Sequence, residues 1–206
     1  WFERRLAYTR SVAVSSIVGH IVGLGDRHLS NILIRNDTAE VVHIDLGIAF
    51  DQGQVLKYPE RVPFRLTPNI VDGMGVCGVE GVMRRCCQET LRVLRLNRDS
   101  LMTVIEVFVH DPLYAWALSP VQALRKQAQE GRFDQEPRAP GGGGSGLGAL
   151  GETADAQRVL QRVRRKLEGN EKGQILEVQG QVQHLFREAQ SKDNLCQMYC
   201  GWGAWV

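Results

Sequence analysis

Apolar residues recur at helical spacing from the start of the chain. Phe2, Leu6, Ala13, Ile17 and Ile21 fall on one stripe, with Val14, Val18 and Val22 beside it. Gly23 and Gly25 end the run. A helix that is apolar on two neighbouring faces is expected to lie buried at the centre of a domain. The period then changes. Ile32-Leu33-Ile34 and Val41-Val42-His43-Ile44 are short β-rich runs around Asn36-Asp37-Thr38, a turn signal, so a small β-hairpin is expected. Residues 45–67 carry no sustained period and read as an irregular loop.

Helical spacing returns over residues 68–130. Asn69 to Met74 reads as a short helix or turn, and Val79 to Leu96 as a longer helix with Val82, Met83, Cys86, Leu91, Val93 and Leu94 as its apolar positions. Asp99-Ser100 offers an N-cap for a helix whose stripe is Leu101, Val104, Ile105, Phe108 and Val109, closed by Asp111-Pro112. Trp116 and Leu118 lead to a further helix near 120–130. Residues 131–151, with Pro137, Pro140 and the run Gly141 to Gly146, read as a flexible linker. Residues 152–169 read as one amphipathic helix, with Val159, Leu160, Val163 and Leu167 opposite a basic, solvated face. From Ile175 a last helix carries Val178, Val182, Leu185, Phe186 and Ala189. It is followed by a terminal stretch with Tyr199, Trp202 and Trp205 that must dock, because exposed aromatics invite aggregation. The fold expected is mainly α with one small β-hairpin.

Composition alters this picture little. The 206 residues are 43% hydrophobic and 23% charged, the balance of an ordinary globular domain or of a lobe with appendages. A net charge of +2 points neither to nucleic acid nor to an anionic membrane, and no apolar run is long enough to span a bilayer. Five cysteines without a regular framework suggest free thiols in a reducing compartment. Cys86 and Cys87 diverge on a helix and read as packing residues. Cys196 and Cys200 lie one helical turn apart, with reduced thiols the better reading and a disulfide the alternative. A chain beginning at Trp1, inside an apparent helix, is expected to be a fragment of something longer.

The chemistry concentrates at Gly23-Leu-Gly-Asp-Arg-His-Leu-Ser-Asn-Ile-Leu-Ile34 and His43-Ile-Asp-Leu-Gly47. Singly, Asp26 reads as a turn acid and Asn31 as a cap. Jointly they form a D-x-x-x-x-N core followed by Asp45-Leu46-Gly47, the pattern that positions an attacking hydroxyl and supplies two oxygen ligands to magnesium in phosphoryl transfer. The hairpin would return Asp45 to the side of Asn31. Arg27 reads as a structural cation that orients the loop. The Gly141, Gly143, Gly146 string mimics a phosphate loop, but it follows the catalytic loop and has no strand before it.

The inverted order Asp26-Arg27-His28, with Gly23-Leu-Gly before it, Asn31-Ile-Leu after it, and Val62-Pro-Phe-Arg-Leu-Thr67 further on, resembles the phosphatidylinositol-3-kinase-related kinase family. The terminal Gly-Trp-x-x-Trp resembles the family's FATC segment. The resemblance implies the C-lobe of a PI3K/PI4K-like protein kinase fold over residues 1–130, the linker at 131–151, a regulatory helix at 152–174 and FATC at 175–206. It implies ATP and magnesium as cofactors, with manganese as an alternative ion. In the roles it implies, Asp26 orients the substrate hydroxyl, Asn31 and Asp45 hold the metal, and His28 touches the γ-phosphate. Leu33 and Ile44 form the floor beneath adenine. From the residues alone, His28 reads equally as a structural histidine, and Leu33 and Ile44 as core.

Lipid kinases of the superfamily carry a basic run after D-x-G. Here Lys57 and Arg61 are offset by Asp51 and Glu60, which favours a protein substrate. Asp51, where the family carries Glu, would meet the Gln of Ser/Thr-Gln sites; its plainer reading is a solvated loop acid. The resemblance also implies a nuclear protein, partly cytoplasmic, that signals DNA double-strand breaks and checkpoints. It implies a large homodimer activated by the Mre11–Rad50–Nbs1 complex. No Gly-rich loop or strand lysine precedes Asp26, so these residues alone are expected to bind ATP weakly and transfer little phosphate. Two alternatives stand: a non-catalytic docking or regulatory fragment, and a lipid kinase.

Overall fold

A computed structural model describes residues 1–109 and 148–205. The helix expected near 120–130, the residues leading to it and the linker up to residue 147 lie outside the described residues. The described part is mostly helical, with two small antiparallel pairs of strands. Helix α1 (Phe2–Val22) is followed by β1 (Ile32–Ile34) and β2 (Val41–His43), then by α2 (Pro68–Gly73), α3 (Val82–Leu96) and α4 (Arg98–Val109). After residue 147 come α5 (Gly148–Leu167), β3 (Asn170–Glu171), β4 (Gln174–Ile175), α6 (Val178–Ala189) and α7 (Lys192–Leu195).

The core lies between α1, α3, α5 and α6. Ala13 and Ile17 from α1 meet Met83, Cys87 and Leu91 from α3, with Val163, Leu167, Val182, Leu185 and Phe186 closing the cluster. Only part of α1 is interior. Its buried stripe is Thr9, Val12, Ala13, Ser16, Ile17, His20 and Ile21, whereas Val14 and Val18 are exposed, contrary to expectation. Polar residues take the inner positions because they find partners there. Thr9 donates to the Arg5 carbonyl at 2.9 Å, and His20 meets Glu171 at 2.9 Å. A buried polar group that is hydrogen-bonded costs little, so pattern alone misassigns such a face. In α4, likewise, Met102 is buried and Val104 exposed. That helix starts at Arg98, ahead of the expected cap.

One turn and one helix start were not legible from hydrophobic spacing. Lys172 and Gly173 both have positive φ and close the β3–β4 hairpin, the two-residue geometry whose twist suits a β-ribbon. Helix α5 is described from Gly148, within the expected linker. At the end of the chain, Trp202 is buried with Leu195 and Ala204 against Val62 and Met198. Trp205 remains 59% exposed, so one of the two terminal tryptophans docks within the chain and the other does not. All five cysteines are free. Among the described residues, no helix is long and apolar enough to cross a membrane.

Candidate active site

The site starts where α1 stops. Gly23 adopts φ +62, and the next residue returns its N–H to the Gly19 carbonyl at 2.8 Å. A side chain at Gly23 would collide with the Asp51 backbone 2.4 Å away, so close approach and conformation both require glycine. Gly25 then donates to the Ile48 carbonyl at 2.8 Å, tying the loop to the segment beyond Asp45.

Arg27 organises the loop from inside. It is 4% exposed; its Nε donates to the Gly25 carbonyl at 2.8 Å and its Nη1 to the Ile44 carbonyl at 2.7 Å, while Nη2 reaches the Asp45 carbonyl. One planar fork thus gathers three backbone carbonyls from both sides of the hairpin, as a fixed five-donor group can. Ser11 of α1 supports the same hairpin by accepting the Val41 N–H at 2.9 Å.

Asp26, Asn31 and Asp45 come together at this edge. Asn31 Nδ2 donates to the Asp26 carbonyl at 2.8 Å and approaches its Oδ2 at 3.4 Å. With its NH₂ so engaged, Asn31 leaves its Oδ1 as an acceptor. The Asn31 carbonyl accepts from Ile44 N at 3.0 Å, which places Asp45 one residue further along. The Asp45 side chain is exposed, and its Oδ1 accepts the Gly47 N–H at 3.3 Å. Asp26 and Asp45 both hold positive φ, +57 and +50, the left-handed region that Asp and Asn enter more readily than other side chains.

One amide oxygen and one carboxylate are the hard donors magnesium takes beside phosphate and water. Among the described residues no three His, Cys, Asp or Glu side chains cluster as a closed metal cage. A cation completed by phosphate oxygens does not need one.

His28 faces Asp26, its Nε2 lying 3.8 Å from Oδ2. Its Nδ1 accepts the Ser30 N–H at 3.2 Å, so the ring proton sits on Nε2, toward the carboxylate. Leu33 and Ile44 are 49% and 40% exposed, which sets aside their reading as core. Asp51 is not a solvated acid: it is nearly buried, and its Oδ1 lies 2.7 Å from Lys166 Nζ of α5, which also donates to the His20 carbonyl at 2.8 Å. Lys166 therefore leaves the basic outer face expected for that helix. Beside it, Gln181 is fully buried and donates to Glu171 at 2.6 Å. Burial works against charge on Glu171, but the bonds from His20 and Gln181 outweigh it and hold the carboxyl below its usual range.

Beneath the loop, burial, reinforced by Arg27, pushes His43 down to about 4. Its folded pKa is below the unfolded value of 6.5, so on acidification the unfolded chain takes up the proton first and stability falls from pH 6.5 toward 4. Between pH 7 and 5 this group should cost about 1–2 kcal/mol, allowing for its partial exposure. His43→Gln should flatten that part of the slope in urea-midpoint measurements, and an unchanged slope would remove His43 as its source.

Sequence reading missed Glu60, Arg65 and Lys166, all of which hold this site from elsewhere in the chain. Arg65 lies in the Val62 to Thr67 motif, yet nothing local shows that its partners include the carbonyls of Trp202 and Gly203.

Residues 1–118 match the family described as phosphatidylinositol 3- and 4-kinase, and residues 175–206 match the FATC domain. The serine/threonine-protein kinase ATM of Arabidopsis thaliana is 57% identical over 210 residues, covering 100% of this chain and 5% of that protein. The serine-protein kinase ATM of Sus scrofa is 51% identical over 214 residues, covering 100% of this chain and 7% of that protein. This chain thus spans a small fraction of these relatives' length. The solved structure described as the FAT and kinase domain of CtTel1 superposes with a TM-score of 0.81 at 42% identity, covering 100% of this chain and 12% of that one. A family model that spans more than half of the residues, on a loop with this geometry, shows that the chain belongs to the phosphatidylinositol 3- and 4-kinase family.

Proposed function

We propose that the chain is the catalytic-loop portion of a serine/threonine protein kinase that transfers the ATP γ-phosphoryl group to Ser/Thr-Gln sites in proteins. The observation that carries this reading is the convergence of Asp26, Asn31 and Asp45, with the Asn31 amide tied to Asp26 and an oxygen left over. ATP, when bound, supplies the phosphoryl group, and magnesium, or manganese in its place, neutralises its charge. Asp26 orients the substrate hydroxyl and accepts its proton. Asn31 Oδ1 and the Asp45 carboxylate would hold the metal. His28 presents Nε2–H to the transferring group. Leu33 and Ile44 offer exposed apolar surface to adenine. Positioning and charge neutralisation supply most of the rate.

The loop after Asp45 favours protein over lipid, because Lys57 and Arg61 make no basic run. Asp51 remains our candidate for the substrate glutamine, now with Lys166 as its partner. With relatives named ATM, the reading includes a role in DNA double-strand-break signalling; the nucleus as its place and the Mre11–Rad50–Nbs1 complex as its activator belong to the proposal. A related structure is described as a complete CtTel1 dimer with C2 symmetry, which supports a homodimer. We take residues 1–130 as the kinase lobe, 152–174 as a regulatory segment and 175–206 as FATC.

The test measures transfer from Mg-ATP to Ser-Gln peptide, Ser-Ala peptide and phosphoinositide, using a form that carries an amino-terminal kinase lobe. Transfer to Ser-Gln alone, lost in Asp26→Ala, is the expected result. Lipid phosphorylation would overturn the substrate class. Transfer that survives Asp26→Ala would overturn the site. No transfer at all would leave a docking fragment as the better reading.

A further inference from the structure

Glu60 is a loop acid that faces inward. Its Oε1 accepts the backbone N–H of Asp26 at 2.8 Å. Its Oε2 lies in a notch between two glycines: a Cβ on Gly25 would fall 2.7 Å from it, and one on Gly53 2.6 Å. Neither glycine has the positive φ that would itself demand glycine, so at both positions the nearest obstacle to a side chain is the Glu60 carboxylate. The Glu60 backbone is anchored as well, its N–H donating to the Gly53 carbonyl at 2.9 Å. Acids seldom turn inward without partners, and here one of them is the backbone N–H of the residue on which the chemistry depends.

We propose that Glu60 is a positioning residue for phosphoryl transfer: by holding the Asp26 N–H it keeps Asp26 in its left-handed conformation and aims that carboxylate at the substrate hydroxyl. The inference rests on the kinase reading above and deepens it. Asp26 sits at φ +57, a left-handed conformation that few side chains other than Asn and Asp adopt and that a hydrogen bond at its N–H helps to fix. Relaxing φ swings Cβ, and with it the carboxylate, away from Asn31 and the reacting hydroxyl. Burial raises the Glu60 carboxyl from its ordinary range, while the Asp26 N–H, Arg27 and Trp202 work to keep it charged.

The experiment compares Glu60→Ala, Glu60→Gln and Asp26→Ala in the lobe-extended form, reading kcat and KM for ATP, melting temperature, and amide exchange at Asp26. Glu60→Ala should lower kcat about 30- to 100-fold, with KM for ATP within about threefold, because a misplacement near 1 Å carries a penalty of that order. Glu60→Gln keeps an acceptor at the same reach and should recover most of kcat. Exchange at Asp26 should rise in the alanine variant and stay low in the glutamine one.

If Glu60→Ala does not fold, Gly53→Ala displaces the same carboxylate without deleting it and should show the same split between kcat and KM. Wild-type kcat in a folded Glu60→Ala, equal loss in Glu60→Gln, or a loss confined to KM would each overturn the inference while Asp26-dependent transfer kept the kinase reading. Absence of Asp26-dependent transfer in the parent would instead remove the kinase reading. The exchange measurement would then still decide whether Glu60 holds the Asp26 N–H, and unchanged exchange in Glu60→Ala would sink that as well.

Discussion

Asp45→Asn should lower phosphoryl transfer from Mg-ATP about 1000-fold and leave the melting temperature unchanged. The size follows from removing one anionic metal ligand, worth several kcal/mol of transition-state stabilisation at about 1.4 kcal/mol per tenfold in rate. The unchanged stability follows from how Asp45 is built in. Its carbonyl is held by Arg27, its φ of +50 is one that asparagine tolerates well, and among the described residues its exposed side chain has one hydrogen bond, from the Gly47 N–H. Structure and chemistry are therefore divided between the backbone and the side chain of one residue. A kcat within tenfold of the parent at saturating Mg-ATP would remove Asp45 from the metal site. A collapse in melting temperature would show that the division is wrong.

That residue also marks how far the sequence could be read. Asp26, Asn31 and Asp45 were legible because phosphoryl transfer requires oxygen ligands at set spacings, and a short hairpin between them is easily recognised. The main helices were legible because their apolar stripes match the helical period. What stayed hidden depends on partners far away along the chain. Val14 and Val18 looked interior, yet Thr9, Ser16 and His20 took the inner positions, His20 through a partner at Glu171. Lys166 looked like one more outward cation, but its partner Asp51 lies 115 positions earlier. Glu60 read as a charge that offsets Arg61, because no local pattern shows an acid folding back onto a backbone N–H 34 positions away.

Arg65→Leu should cost about 3–5 kcal/mol and release the tail, the range expected when a buried charged donor is removed from its partners. Arg65 is 3% exposed. It donates to the carbonyls of Trp202 and, at 2.6 Å, Gly203, and its guanidinium stacks 4.4 Å from the Trp202 ring centroid. It also reaches the Arg27 carbonyl at 3.4 Å, so one side chain spans the tail and the catalytic loop. Leucine leaves those carbonyls buried without their donor. Lysine should recover only part of the loss, because a single ammonium cannot fork between two carbonyls. Urea midpoints together with protease cleavage over residues 196–205 would test this. A midpoint shift worth less than about 1 kcal/mol, with the tail still protected, would contradict it.

The bond from Arg65 to Gly203 spans 138 positions. Translation runs in one direction, so a ribosome that has finished the catalytic loop must still add those residues before the loop can be seated. Until then Arg65 lacks the carbonyls it is built to hold, and Trp202 cannot cover the ground beside Glu60. Contacts this distant are slow to form and leave apolar surface open in the meantime. A nascent chain of this family should therefore depend on chaperones through that interval. A stop codon between residues 66 and 203 should yield a protein whose catalytic residues are all present but whose Arg65 never gains the Gly203 carbonyl.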